Sequence, residues 1–414
     1  MDSRTRKLSW GLVVVAVAFV ISTGEAQDST SVVLAIIAFG DSAVDVGNND
    51  YLPTIFKANY PPYGRDFVNN QPTERFCNGK LATDITAIVD GLFQGFQLPN
   101  GGPLLSNLCY ADDVLFIGRW SDQNVVTLTR LLRWLRLVTG LKINNRKCKL
   151  FGIGVQDEDV AQMAAKLNCE AGVLPFMYLG VQIGANMKRA KFWDPVVNRV
   201  GARLSKWKAR HLSFAGRVTL AKSVLGSIPA YYLSLFLAPK CIIKKIDRIR
   251  RDFIWGITDT RKKFRWVRWD SMLRSKKSGG LGVGRIRDFN LAMLTKWWWR
   301  FKVNPNHLWA HVIGSIHKYN TANQLIPVSK SIPGGWKDIG CMDPELHKMG
   351  IDIKPNLVES NGFWKWRSSS DVAFSVKQVR SDLEDTLGAD LCCIPGFEWI
   401  IWAPPKANYL LWSS

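Results

Sequence analysis

Histidine is scarce in this chain and cysteine is scattered. The 414 residues hold 5 His and 8 Cys, with no Cys-x-x-Cys pair and no Cys/His group at zinc-binding spacing. No zinc is expected, and at this length a disulfide scaffold is excluded too. The thiols read as small buried hydrophobes. Long apolar runs are equally few. One, GLVVVAVAFVI, follows Arg4, Arg6 and Lys7 and precedes the small residues Gly24 and Ala26. That is the pattern of a secretory leader over residues 1–26, too short for a stable membrane span. With 47% apolar and 11% aromatic residues, a mainly disordered chain is also excluded. The length allows two or three domains.

Acid is what one stretch lacks most. Residues 1–88 carry 7 Lys/Arg against 9 Asp/Glu, a balance of −2, whereas residues 188–302 carry 29 against 6, or +23. The whole-chain excess of +21 is therefore concentrated in that block. Such a block attracts a polyanion through counterion release, without reading sequence. The expected partner is RNA or DNA, held weakly and in a salt-dependent way. Candidate contacts are Lys206, Lys208, Arg210, Arg217, Lys222, Arg250, Arg251, Lys262 and Lys263. Trp193, Trp207, Trp255, Trp266, Trp269 and the run Trp297, Trp298, Trp299 could stack on bases. The competing reading is a soluble basic helical face whose tryptophans are core.

Near the start, VVLAIIAF is an apolar strand that ends in Gly40-Asp41-Ser42, followed by a turn rich in Gly and Asn. A serine at a strand-to-loop corner can present its hydroxyl as a nucleophile. The stretch AIIAFGDSAVDVGNNDYLPT, with NYPPYGRDFVNNQPTERFCNGKLATD, resembles the opening of plant GDSL esterases/lipases over about residues 34–85. The resemblance implies an SGNH-hydrolase-like fold, with Ser42 as acyl nucleophile and its own backbone N–H helping to hold the oxyanion. Ala43 departs from the usual leucine. The rest of that catalytic set is missing: no Gly-x-Asn-Asp block and no Asp-x-x-His follows residue 88. None of His211, His307, His311, His317 and His347 fits the expected base.

Beyond residue 88 the style changes. LCYADDVLF places Asp112 and Asp113 between two short apolar runs, the pattern of a β-hairpin with carboxylates at its tip. Paired carboxylates can hold divalent ions, although a bare Ala-Asp-Asp is more often a solvated turn. With its flanks, GLFQGFQLPNGGPLLSNLCYADDVLFIG resembles the palm of non-LTR (LINE-type) reverse transcriptases. That implies Mg2+ at Asp112 and Asp113, with Lys142 or Lys147 assisting pyrophosphate departure. TLTRLLRWLRLVTGLKINNRKCKLFGIG reads as a helix, a turn at Gly140 and a strand. The helical segment after it has Ser213 as a cap near Ala215 and Pro229 as a limit. GGLGVG at 279–284 lacks the Lys-Ser/Thr of a phosphate loop and reads as a connection between basic helices. FEWIIWAPPKANYLLWSS resembles the approach to the same family's zinc-binding region, whose ligands the resemblance places past Ser414. A third palm carboxylate is missing, because neither Asp84 nor Asp90 stands where the family carries it.

The expected fold class is α+β. A leader-like segment (1–26) and a small α/β head (27–88) precede a palm hairpin remnant (89–186), a mostly helical basic region (187–302) and a mixed, loosely packed remainder (303–414). The expected function is that of a reverse transcriptase fragment fused to an esterase-like head. Neither catalytic set is complete, and nucleic-acid affinity is what remains. The alternative is a secreted serine esterase acting through Ser42 on carboxylic esters. The two halves disagree on location: a leader points to secretion, a reverse transcriptase to cytoplasm and nucleus. Without its base, Ser42 should be inert. Purified protein is expected to hydrolyse short p-nitrophenyl esters no faster than Ser42→Ala, and a Ser42-dependent turnover would contradict this.

Overall fold

The computed structural model describes residues 33–39 and 93–389, apart from 111–112, 140–143, 258–266, 319–324, 333, 350, 361–362 and 367–373. The chain forms two compact units, residues 1–185 with 306–318 and residues 186–305 with 319–414. Among the described residues, helices mix with small sheets, an α+β composition.

The first unit is built on a five-stranded sheet. Its strands are β1 (Val33–Phe39), β4 (Asn107–Tyr110), β5 (Asp113–Arg119), β6 (Lys149–Ile153) and β7 (Glu170–Ala171), in the order β4-β5-β1-β6-β7. Two small hairpins accompany it, β2 (Phe96–Gln97) with β3 (Leu104–Leu105) and β8 (Phe176–Tyr178) with β9 (Val181–Ile183). Helix α1 (Asp122–Thr139) buries Val125, Leu128 and Leu131 against Phe93, Phe116, Leu150 and Met163. The apolar positions recur three apart, so one stripe of the helix faces the sheet. Asn124 fixes the start of α1. Its Oδ1 accepts from the Gln94 N–H at 2.8 Å, and its Nδ2 donates to the Gln94 and Arg119 carbonyls at 3.0 and 2.8 Å. Helix α2 (Asp157–Lys166) covers β6 with Val160, Met163 and Ala164, and Leu308–Ile316 adds a further helix.

One strand stands elsewhere than the sequence suggests. The head is expected to form its own α/β fragment, and the palm remnant to leave unpaired strand edges. Instead β1, from the head, runs antiparallel between β5 and β6. Its register goes from Val33 opposite Arg119 to Phe39 opposite Asp113, and from Val33 opposite Ile153 to Ile37 opposite Lys149. The physical reason lies in both partners. VLAIIAF has no polar position, which suits a strand covered on both faces, and an open edge on β5 offers it a ladder of N–H and C=O groups. The rest of the head lies outside the described residues.

The second unit is mostly helical. It contains α3 (Asp194–Arg203), α4 (Lys206–His211), α5 (Phe214–Ser227), α6 (Ala230–Leu233), α7 (Lys240–Trp255), α8 (Trp269–Leu273), α9 (Ile286–Val303), α10 (Gly335–Gly340) and α11 (Val376–Ala389). Ser213 caps α5, its Oγ accepting from the Gly216 N–H at 3.2 Å. Pro229 sits just past that helix as the cap of α6. Gly256 ends α7 in the left-handed region at φ 64°, where a side chain would be strained. Helix α9 is the axis of the unit. Trp297 donates its indole N–H to the Ser234 carbonyl at 2.6 Å, Trp298 to Ile339 at 3.0 Å, and Trp299 to Trp364 at 2.7 Å. The hairpin β10 (Leu357–Ser360) and β11 (Phe363–Trp366) and the helix α11 are drawn in with them. Trp336, Trp366, Val379 and Leu383 are all buried, so this part of 303–414 packs more closely than its composition suggests.

The middle position of β1 gives a direct test. A residue within a central strand hydrogen-bonds to one neighbour or the other, and proline removes that donor. Ile36→Pro is expected to speed amide exchange at Leu115–Ile117 in β5 and at Leu150 and Phe151 in β6. Unchanged exchange at both strands would mean that β1 does not hold them together.

Candidate nucleic-acid interface

The basic block contains no Asp or Glu between Asp194 and Asp247, a span that includes most of α3, all of α4, α5 and α6, and the first half of α7. Within it, α4 is the most outward-facing element. Ala209 turns inward, while Trp207 is 61% exposed. The Trp207 ring meets His211 edge to face at 5.7 Å between centroids. Arg199 and Arg203 of α3 and Arg210 of α4 are exposed, and Lys208 is half-buried with Nζ donating to the Arg203 carbonyl at 3.4 Å. An aromatic face held at this solvent exposure among cations can stack on a base while the cations meet phosphates.

Not every cation of the block is free to do so. Arg217 lies beneath α4, where Nη1 donates to the Ala209 and Leu212 carbonyls at 3.1 and 3.0 Å and Nε donates to Ile254 at 2.7 Å. It is a strut that ties α4 to the end of α7. Arg250, 1% exposed, is another. It donates to Asp247 Oδ1 at 2.8 Å and to the Val283 and Gly284 carbonyls at 2.8 and 3.0 Å, so it holds the glycine-rich connection against α7. Lys222 donates to the Leu281 carbonyl of that connection. Burial, and then Lys276 and Arg380 nearby, push its ammonium down to about 8. Arg251 is half-buried, Lys206 opens α4, and Lys262 and Lys263 lie outside the described residues. The sequence did not separate these inward arginines from outward ones, because the carbonyls of Ile254, Val283 and Gly284 that draw them in lie more than thirty residues away.

The tryptophans divide in the same way. Trp193, Trp255, Trp297 and Trp298 are buried, Trp299 and Trp269 are half-buried, and Trp266 lies outside the described residues. Trp193 donates to the Met187 carbonyl at 2.8 Å, and Trp269 carries the Arg250 guanidinium over its ring at 5.7 Å. Of the candidates described, Trp207 alone is exposed. A signal for this was in the sequence: its helical neighbours include Arg203, Arg210 and His211, which place it on a polar face.

The strands next to the two motifs of catalytic type are paired in one sheet. Phe39, the last residue of β1, stands opposite Asp113, the first of β5, and Tyr110 of β4 pairs with Asp113 on the other side. Asp112 and Ser42 lie outside the described residues, as do Lys142 and the motif's Ala111. The two cross-strand partners of Asp113 are therefore aromatic, and neither brings a second carboxylate. Among the described residues no group of three or more His, Cys, Asp or Glu side chains could share a metal ion. The described set does not fit a Mg2+ site. His347 meets Asp352 through Nδ1, but this acid–imidazole pair belongs to the second unit, and β1, which leads to Ser42, to the first.

Comparison with known proteins separates the two halves. No family model matches the chain. A putative ribonuclease H protein of Arabidopsis thaliana is 32% identical over 209 residues, 49% of this chain and 34% of that protein. The GDSL esterase/lipase APG of the same plant is 77% identical over 53 residues, 13% of this chain and 15% of the esterase. The chain's similarities are those of a chimera. Another Arabidopsis GDSL esterase/lipase is 40% identical over 147 residues, 32% of this chain and 39% of its own length. That match covers more of the chimera than residues 1–88. The chain spans about a third of the ribonuclease H protein and well under half of either esterase. Among the described residues no helix is long and apolar enough to cross a membrane.

One acid of the chimera's basic block is buried. Asp288, in the first turn of α9, has both carboxylate oxygens out of water with no hydrogen-bond partner among the described residues. Burial raises it to about 6, against the opposing pull of Arg285, Arg380 and Arg287, and Glu384 adds to the rise. A raised folded-state value means that the native state holds this proton where the unfolded state releases it. Stability therefore falls as pH rises from about 4 to about 6 and is flat above. Asp288→Asn is expected to raise stability at pH 7 by roughly 3 kcal/mol, with the gain vanishing below pH 4. Urea unfolding at both pH values checks this, and a variant destabilised at pH 7 would contradict it.

Proposed function

We propose that this protein is a retroelement-derived fragment whose working property is salt-dependent, sequence-indifferent binding of RNA or DNA by residues 188–302, with no turnover at either motif. The observation that carries the reading is Trp207, exposed on α4 in a stretch with no acid between Asp194 and Asp247. Phosphates meet Arg199, Arg203, Lys206, Lys208 and Arg210, and Trp207 stacks on a base, which every base permits. The ribonuclease H-type relative supports a nucleic-acid origin for the body. In this reading residues 89–186 are a reverse-transcriptase palm remnant with Asp112 and Asp113 at its hairpin, and 187–302 its basic helical continuation. Residues 303–414 are the connector into a zinc-binding region, and 27–88 are an SGNH-type fragment.

A second reading is favoured by the 77% identity of its short match: an esterase of the GDSL type acting through Ser42. It requires a base and further oxyanion donors that the sequence does not supply in the family's pattern.

Trp207→Ala is expected to weaken binding of a labelled single-stranded oligonucleotide by roughly 1–3 kcal/mol. Lys208→Glu with Arg210→Glu should weaken RNA, single-stranded DNA and duplex alike and flatten the dependence on salt. Fluorescence anisotropy across a salt series checks both. Binding that is insensitive to salt, or unaffected by either variant, would overturn the reading.

A further inference from the structure

Helix α1 in the first unit has an outer face that the fold does not use. Its inner stripe is core, as described above. On the outside, Trp134 is 64% and Leu137 74% exposed, with Val126 also exposed one turn before Arg130. Arg130 and Arg133 are exposed on the same side, while Arg136 is exposed about 160° round the helix from Trp134. At 100° per residue, Val126, Arg130, Arg133 and Leu137 form one stripe, and Trp134 borders it one turn from Arg130. The only acid in α1 is Asp122 in its first turn, and its carboxylate is already paired with Lys166.

We propose that this face is a second contact for single-stranded nucleic acid, in which Trp134 stacks on an unpaired base while Arg130 and Arg133 meet phosphates. The face lies outside residues 188–302, so the inference goes beyond the reading above while sharing its class of partner. Charge decides the occupant. A second copy docking face to face would set arginines against arginines, and an apolar protein surface would bury two guanidinium groups with no counter-charge. A duplex supplies phosphates but hides its base faces, which leaves Trp134 without a role. A single strand satisfies both the ring and the cations.

The test uses the full chain and labelled oligo(dT), with a hairpin duplex as comparison. Trp134→Ala is expected to weaken oligo(dT) binding about tenfold and leave the duplex nearly unchanged, while Trp134→Phe restores most of the loss. Replacing Arg130 and Arg133 by Gln should reduce the slope of log affinity against log salt by about 1.4. Because these side chains are exposed, melting temperatures should stay at the parent value. Oligo(dT) binding that survives Trp134→Ala with the parent slope overturns the α1 contact and leaves the block at 188–302 standing. Failure of the parent protein to bind either probe overturns both. A change of oligomeric state in light scattering, with nucleic-acid affinity intact, would assign the face to protein contact and overturn the inference.

Discussion

Three consecutive indoles hold the second unit together. Successive helix residues point about 100° apart, so Trp297, Trp298 and Trp299 leave α9 in three directions and reach three separate segments. Each indole N–H ends on a backbone carbonyl, at Ser234, Ile339 and Trp364. Asn290, further up the same helix, adds a fourth attachment. It accepts from the Ala238 N–H at 2.8 Å and donates to the Leu233 and Phe236 carbonyls at 2.6 and 2.9 Å. Buried aromatic area supplies the attraction, and the satisfied N–H groups remove the cost of burying polar atoms. A segment with a net charge of +23 repels itself, and this axis is what lets it close into a core.

The distribution of cations follows from that core. Arginines that reach a bare carbonyl are drawn inward, as Arg217 and Arg250 are, and become part of the scaffold. Those without an inward partner stay outside on α3 and α4, the elements around Trp207, the one described tryptophan candidate left exposed. The surface proposed to meet nucleic acid is thus the part of the basic block left over once the fold has taken what it needs. The chimera's first unit follows a different logic. There the body lacks a strand, and the head supplies one whose sequence is apolar throughout.

Local features were legible in the sequence. The cap at Ser213, the limit at Pro229, the hairpin around Tyr110 and Asp113, the helix before Gly140 and the strand after it all depend on residues within one or two turns. The glycine-rich connection at 279–284 was legible as a loop for the same reason. What escaped depends on partners far away in the chain. Nothing in VLAIIAF specifies β5 and β6 as its neighbours, because an apolar strand pairs with any open edge of suitable length. Nothing around Arg250 announces the Val283 and Gly284 carbonyls, and the run of three tryptophans looked as suited to stacking on bases as to packing. Trp207 was within reach of a helical-wheel argument, since its neighbours one turn away are mostly basic.

The central claim is that the chimera meets nucleic acid through α3 and α4 and not through its tryptophan-rich axis. Hydrogen–deuterium exchange of the full chain, with and without a short single-stranded oligonucleotide, tests it most directly. Added protection is expected in residues 194–211, and along α1 where the second contact forms, with the amides of α9 unchanged. Protection that falls on α9, or none anywhere in residues 188–302, would contradict it.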